Sequence, residues 1–213
     1  MSGLLPDYYG PPFGRPFAVI LNSRQTKTPV GAEAWIKKTL AAVRFFADNA
    51  ITVLTSTGTH PWNFAVWAVA NAGGNQIIVH PVYRDEDTEI IVNNLMLDYK
   101  LDAQRAAFML FHTDIPASKP KAAWRERDKI IFETADILAP VSIRPRGNLA
   151  EDIDKARSMG KTVNKVFATP YSPRKREGQK KIKSIEVARK FPPEDWNYIT
   201  HWTRSFNLSL IHI

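Results

Sequence analysis

Apolar residues follow two different spacings along this chain. Residues 16–21 form a short uninterrupted apolar run, which is typical of a strand that is buried on both faces. In the stretch that follows, apolar residues recur every three or four positions, and this spacing predicts an amphipathic helix. These residues are Ile36, Leu40, Val43 and Ala47. The change of spacing therefore predicts a strand that leads into a helix.

The same alternation continues to about residue 168 and defines the expected fold class. Predicted strands cover residues 16–21, 51–54, 76–79, 106–111, 137–143 and 162–168. Predicted helices cover residues 28–48, 61–71, 85–97, 119–134 and 148–159. Because strands and helices alternate, we predict an α/β protein with three layers, α/β/α, and a mostly parallel sheet of about six strands.

Composition narrows the class of protein further. The chain has 213 residues, of which 44% are hydrophobic, and this suits one domain with a real core. No apolar run approaches the ~18 residues that span a bilayer, and the N-terminus lacks the features of a secretory signal. There is no cysteine, which excludes thiol catalysis, disulfides and cysteine metal sites. The five histidines are scattered, so we predict no metal site, and we expect a cytoplasmic protein.

The positive charge is concentrated near the C-terminus. The net charge is +8, and residues 172–190 contribute +6 of it through eight Lys or Arg and two Glu residues. Such a segment favours a polyanionic partner, and the alternative is a solvated tail.

Groups that suit phosphate follow three of the predicted strands. Because the carboxyl ends of parallel strands meet at one edge of a sheet, we expect these groups to form one basic pocket. Hydroxyls, guanidinium groups and the free amides of a helix N-terminus all bind phosphate. The candidate residues are Ser23, Arg24, Ser56, Thr57, Gly58, Arg144, Arg146, Gly147 and Asn148.

Two further basic residues and one acid are candidates, each with a structural alternative. Arg127 and Lys129 lie on a predicted helix and either reach the pocket or belong to a charged solvent face. Glu151 lies just inside the helix after the fifth strand, where it either favours the helix dipole or acts in catalysis. The chain has no Walker motif, no Gly-x-Gly-x-x-Gly fingerprint and no Gly-x-Ser-x-Gly elbow.

Taken in order, several segments resemble the Rossmann-like domain of the DNA-processing protein A (DprA/Smf) family. This family lies in the SLOG superfamily, which also includes the cytokinin-activating LOG proteins. The resemblance covers about residues 16–171. It rests on Asn22-Ser23-Arg24, Ser56-Thr57-Gly58, Gly73-Gly74, Arg127-Asp128-Lys129-Ile130-Ile131, Ala135-Asp136-Ile137-Leu138 and Gly160-Lys161-Thr162-Val163.

The resemblance implies a function and assigns roles to four residues. It implies that Ser23, Arg24, Arg127 and Lys129 bind the phosphates of single-stranded DNA, in DNA processing, uptake or recombination. It implies no cofactor and no catalysis. The expected partner is single-stranded nucleic acid or a nucleotide, and no membrane is expected. A homodimer remains open. The pattern departs from the family at residues 59–63, and Asn22 stands where the family has Gly.

A second interpretation follows from the wider superfamily. It is a SLOG-type nucleotide sensor or a LOG-like nucleoside monophosphate phosphoribohydrolase, an enzyme that cleaves an N-glycosidic bond. Residues 147–151 match only the Gly-x-x-x-Glu remnant of the LOG motif, and Glu151 would be the catalytic carboxylate.

The expected organisation of the chain has four parts. Residues 1–15 form an N-terminal extension, and residues 16–171 form the DprA/SLOG-like Rossmann domain. Residues 172–207 form a basic and aromatic C-terminal extension. We interpret residues 208–213 either as a non-native end or as a short native apolar terminus.

Overall fold

A computed structural model describes residues 6–25 and 31–172. These ranges contain seven strands, with bounds β1 Asp7–Tyr9, β2 Phe17–Asn22, β3 Thr52–Ser56, β4 Gln76–Val82, β5 Ala106–His112, β6 Ile137–Ser142 and β7 Thr162–Val163. They also contain five α-helices, with bounds α1 Ala34–Asp48, α2 His60–Asn71, α3 Thr88–Asp98, α4 Trp124–Thr134 and α5 Asn148–Ser158. A short 3-10 turn, Pro120–Ala122, precedes α4.

The strands form one twisted sheet in the order β1-β5-β4-β3-β2-β6-β7. All neighbours are parallel except β1, which runs antiparallel to β5. Helices cover both faces of this sheet, and the predicted three-layer α/β/α fold with a mostly parallel sheet is confirmed.

Strand β2 shows how the sequence pattern produces the two halves of the core. Ala18 and Ile20 point into the core that packs against α1 and α2. Val19 and Leu21 point the opposite way, into the core that includes residues of α4 and α5. Successive side chains of a strand alternate between faces, so an uninterrupted apolar run satisfies both cores at once.

The order of the strands reverses beside β2. The chain passes from β2 outward through β3, β4 and β5, and then returns to place β6 on the other side of β2. The loops that follow β2 and β6 therefore leave in opposite directions and open a crevice between them. In sheets of this kind, ligands bind in this crevice, outside the carboxyl ends of the strands.

The two ends of the sheet differ from the sequence prediction. Residues 7–9 were expected in an extension and instead form the edge strand β1, whose three side chains are all exposed and so give no alternating pattern. The strand predicted at residues 162–168 pairs with β6 only over Thr162 and Val163. The side-chain oxygen of Asn164 accepts a hydrogen bond from the Val166 amide, which forms a turn that interrupts the pairing before the Thr169 amide donates to the Val141 carbonyl of β6.

All five predicted helices are present, but α1 begins at Ala34 instead of residue 28, and α4 begins at Trp124 instead of residue 119. Leu40 is a local exception to the predicted apolar face, because it is 41% exposed on α1, whereas Thr39 is fully buried beside it. None of the helices in the described ranges is long and apolar enough to span a membrane. The basic segment and the two predicted C-terminal parts lie, apart from Ser172, outside the described residues.

Candidate functional site

A hydrogen bond joins the two loops that flank the crevice. The Ser23 amide donates to the Ser142 carbonyl at 2.8 Å, which continues the pairing of β2 with β6 by one residue. The Ser23 hydroxyl oxygen in turn accepts the Arg144 amide at 2.7 Å. Ser23 therefore fixes the loop after β6 against the end of β2, and both loops face the same crevice.

Arg24 lies at the opening of this crevice. Its side chain is exposed, and its guanidinium carbon lies 6.0 Å from the centre of the Trp124 ring. Its carbonyl accepts the Tyr171 hydroxyl at 3.0 Å, which fixes the backbone at this point. Burial of the ring, followed by the nearby positive charge of Arg24, lowers the pKa of His60, the first residue of α2. Arg24 thus brings a positive charge close to the start of α2.

The loop after β6 adds two more exposed arginines, Arg144 and Arg146. Arg146 has a φ of 55°, and the Gly147 amide donates to the Arg144 carbonyl at 3.2 Å, so the loop is a tight turn. Gly147 is the N-cap of α5, which has no side-chain cap hydrogen bond. The first amides of α5, beginning at the exposed Asn148, therefore open towards the loop.

The loop after β3 is held mainly by internal contacts. Ser56 is fully buried, and its hydroxyl donates to the Val79 carbonyl at 2.7 Å, so it lies below the crevice. The Thr57 hydroxyl lies 2.7 Å from Nδ1 of His80. The Gly58 amide donates to the side-chain oxygen of Asn63 at 2.9 Å, so this amide already has an acceptor.

Gly58 also allows a close approach to Trp124. Its φ is +92°, and a Cβ at this position would lie 3.3 Å from Nε1 of Trp124. A side chain at residue 58 would therefore be strained and would crowd the indole. The absence of a side chain at Gly58 therefore lets the loop after β3 pack against Trp124 at the start of α4.

The structure places the two basic residues of α4 on different sides of the helix. Arg127 is only 3% exposed and lies beneath the loop after β3. The Lys129 side chain is 72% exposed and approaches Glu133 at 3.8 Å, one helical turn further on. Lys129 thus lies on the solvent face, the alternative that the sequence left open. Glu151 is exposed in the first turn of α5, and its amide donates to the Gly147 carbonyl at 3.3 Å.

Proteins of known structure with a similar fold include two versions of DNA processing protein A. The protein from Streptococcus pneumoniae matches with a TM-score of 0.52 and 17% identity, over 73% of this chain and 52% of that one. The protein from Helicobacter pylori matches with a TM-score of 0.50 and 14% identity, over 72% of this chain and 74% of that one. The molybdenum cofactor carrier protein from Chlamydomonas reinhardtii has a TM-score of 0.45 and 16% identity, over 70% and 75%.

The chain has the Rossmann-like fold of DNA processing protein A. At these identities the similarity concerns the fold, and it confirms the fold that the resemblance implied. Neither a protein-family model nor a curated protein sequence matches the chain.

On this DNA processing protein A fold, several residues of the site were missed by sequence reasoning. Thr57 meets His80 because β3 and β4 are parallel neighbours in a register that pairs Ser56 with Val79. Asn63 and Trp124 contact Gly58 from α2 and α4. The parallel register could have suggested the His80 contact, whereas no sequence signal marks the other two. In the described ranges, no group of three or more His, Asp or Glu side chains could hold a metal ion.

The His80 ring predicts a pH dependence of stability. Burial and then the charge of Arg127 lower the pKa of His80 to about 4. The unfolded chain takes up this proton near pH 6.5, so it binds more protons than the folded protein as the pH falls. The contribution of His80 to the free energy of unfolding should therefore drop by about 2 kcal/mol between pH 7 and pH 5.

Urea unfolding at pH 7 and pH 5 checks this expectation in the wild type and in His80→Gln. In His80→Gln, the free energy of unfolding should fall by about 2 kcal/mol less between pH 7 and pH 5 than in the wild type. The control is His112→Gln, which removes an exposed histidine and should keep it. An equal change in the free energy of unfolding between pH 7 and pH 5 in the wild type and in His80→Gln would contradict the expected role of His80.

Proposed function

We propose that this protein binds single-stranded DNA through its phosphates, at the crevice between β2 and β6, in DNA processing, uptake or recombination. The observation that carries the proposal is the set of exposed arginines at the point where the strand order reverses: Arg24, Arg144 and Arg146. The hydrogen bond between Ser23 and the Arg144 amide places the two loops that carry them side by side.

The groups in this crevice suit a phosphate chemically. Guanidinium groups donate two parallel hydrogen bonds to phosphate oxygens, and the amides at the start of α5 add donors of fixed direction. Ser23 keeps its hydroxyl proton for donation, because its oxygen accepts rather than donates in the bond to Arg144. The chain would thus hold a phosphodiester by charge and hydrogen bonds.

The fold supports the choice of single-stranded DNA as ligand. The Helicobacter pylori DNA processing protein A, which has a similar fold, is described by its mode of binding single-stranded DNA. The basic segment at residues 172–190, of which only Ser172 is described, would add positive charge for the same DNA strand. A partner recognised in this way binds through the backbone, with little dependence on sequence.

Fluorescence anisotropy with labelled single-stranded oligonucleotides tests the proposal. Binding should weaken steeply with salt, because each neutralised phosphate of a single strand adds about −0.7 to the slope of log K against log salt. Arg24→Ala should lower the affinity about tenfold and make the slope shallower by about 0.7. Arg144→Ala should have an effect in the same direction.

The matched control is Arg105→Ala. Arg105 is also exposed, but it lies just before β5, at the amino ends of the parallel strands and therefore on the side of the sheet away from the crevice. It should bind as the wild type does, apart from a small loss of overall charge. No binding at low salt, or equal binding by Arg24→Ala and Arg105→Ala, would refute the proposal. Binding of a nucleoside monophosphate without any binding of oligonucleotides would favour the nucleotide sensor instead.

A further inference from the structure

Arg127 is the residue whose surroundings fit least well with a direct phosphate contact. The resemblance to the DprA/Smf family implies such a contact, yet the side chain is 3% exposed. A residue that reaches a ligand from this depth would first have to leave the contacts that it makes in the folded protein.

Those contacts involve all three nitrogens of the guanidinium group. Nη1 donates to the Thr57 carbonyl at 2.9 Å. Nε and Nη2 both donate to Oδ1 of Asp128, at 3.0 and 2.7 Å. The guanidinium carbon also lies over two indole rings, at 5.5 Å from the centre of Trp62 and 5.7 Å from the centre of Trp124.

The groups held by Arg127 lead directly to the crevice. Thr57 is followed by Gly58, whose Cβ position would lie 3.3 Å from Nε1 of Trp124. Trp124 in turn has the guanidinium group of Arg24 over its ring, at 6.0 Å. Arg127 thus touches both the loop and the indole on which the exposed Arg24 rests.

We propose that Arg127, fixed by Asp128, is a positioning residue that orients Arg24 through Trp124 and the Thr57–Gly58 loop and does not itself touch the phosphate. The inference rests on the proposed function, since it concerns the same crevice. It differs from the role implied by the resemblance, in which Arg127 is one of the phosphate ligands.

The two roles predict opposite results for Asp128→Asn. If Arg127 binds phosphate, the carboxylate of Asp128 competes for its guanidinium group and repels the ligand, so its removal should strengthen binding. If Arg127 positions Arg24, the neutral side-chain amide introduced by Asp128→Asn holds the Arg127 guanidinium group less firmly than the carboxylate does. The affinity for the oligonucleotide should then fall. The loss cannot exceed the factor of about ten that is expected for Arg24→Ala, because it is transmitted only through Arg24.

The experiment is a double-mutant cycle between Asp128→Asn and Arg24→Ala. Affinity for a labelled single-stranded oligonucleotide is measured by anisotropy at pH 7 and low salt, after thermal melts have shown each variant to be folded. A positioning role requires Arg24, so Asp128→Asn should lower the affinity by more than about threefold alone and by less than about twofold beside Arg24→Ala. A role in overall stability alone would not give this dependence on Arg24.

Glu126→Gln is the control, because it removes an exposed carboxylate from the same helix. It should change the affinity less than twofold in either background. Stronger or unchanged binding by Asp128→Asn, or an equal loss in both backgrounds, would overturn the positioning role and leave the proposed function intact. If the wild type binds no oligonucleotide, both proposals fail.

Discussion

Replacing Arg127 with alanine is expected to destabilise the folded protein by about 3 kcal/mol. The change removes the donor to the Thr57 carbonyl and leaves the Asp128 carboxylate without its positive partner. Burial already raises the pKa of Asp128, and the charge of Arg127 opposes that rise. The change also leaves space beside Trp62 and Trp124. Urea unfolding at pH 7, monitored by circular dichroism, measures the loss of stability.

Lys129→Ala is the matched control for this prediction. It removes the same charge from the same helix, but the Lys129 side chain is 72% exposed and its contact with Glu133 is a surface ion pair. Such pairs contribute little, so the expected change is within about 0.5 kcal/mol. Arg127→Lys should be intermediate, since an ammonium group cannot reproduce the planar fork. Similar losses for Lys129→Ala and Arg127→Ala would contradict the buried role of Arg127.

Replacing Gly10 with valine is expected to cost about 3 kcal/mol. Gly10 follows β1 and has a φ of +109°, a conformation that residues with a side chain rarely adopt. A Cβ at this position would lie 2.9 Å from both the Ala106 carbonyl oxygen and the Ala107 Cα. Both contacts are with the backbone, so the strand would have to shift away from β5. Thermal unfolding should show a melting temperature lower by roughly 6–12 °C.

Gly14→Ala separates this close approach from a general effect of losing a glycine. Gly14 lies in the same N-terminal segment, and a Cβ there would meet no atom within 4 Å. It should keep the melting temperature of the wild type within about 2 °C. If Gly10→Val and Gly14→Ala have the same melting temperature, Gly10 does not approach the backbone of β5 as closely as the structure shows.

The layers of the fold could be predicted because the pattern of apolar residues records burial directly. The run in β2 must be apolar on both faces, and it is. Strand β1 could not be predicted in this way, because its three side chains are all exposed and its pairing with β5 uses backbone groups. Strand β7 was predicted too long, since Asn164 and Val166 turn the chain through a hydrogen bond that no hydrophobic pattern records.

The meeting of the loops after β2 and β6 could also be predicted, whereas the direction of individual side chains could not. Ser23 and Arg144 follow strands that are neighbours in any sheet of this order, so their meeting follows from topology. Whether a side chain faces the crevice depends on its orientation at the end of β3 for Ser56 and in the first turn of α4 for Arg127. Both chemically suitable groups are directed inward, to the Val79 and Thr57 carbonyls. The sequence lists suitable groups, but packing decides which of them reach a ligand.

The short antiparallel strand β1 has a consequence for solubility. Strand β5 is seven residues long and mostly apolar, and without β1 it would stand at the edge of the sheet with its backbone groups unpaired. Such an edge is a template for pairing with another chain. Among the strands of the described residues, the two at the ends of the sheet, β1 and β7, are only three and two residues long. The pairing with β1 therefore covers the central part of β5 and leaves fewer of its backbone groups free to pair with another chain.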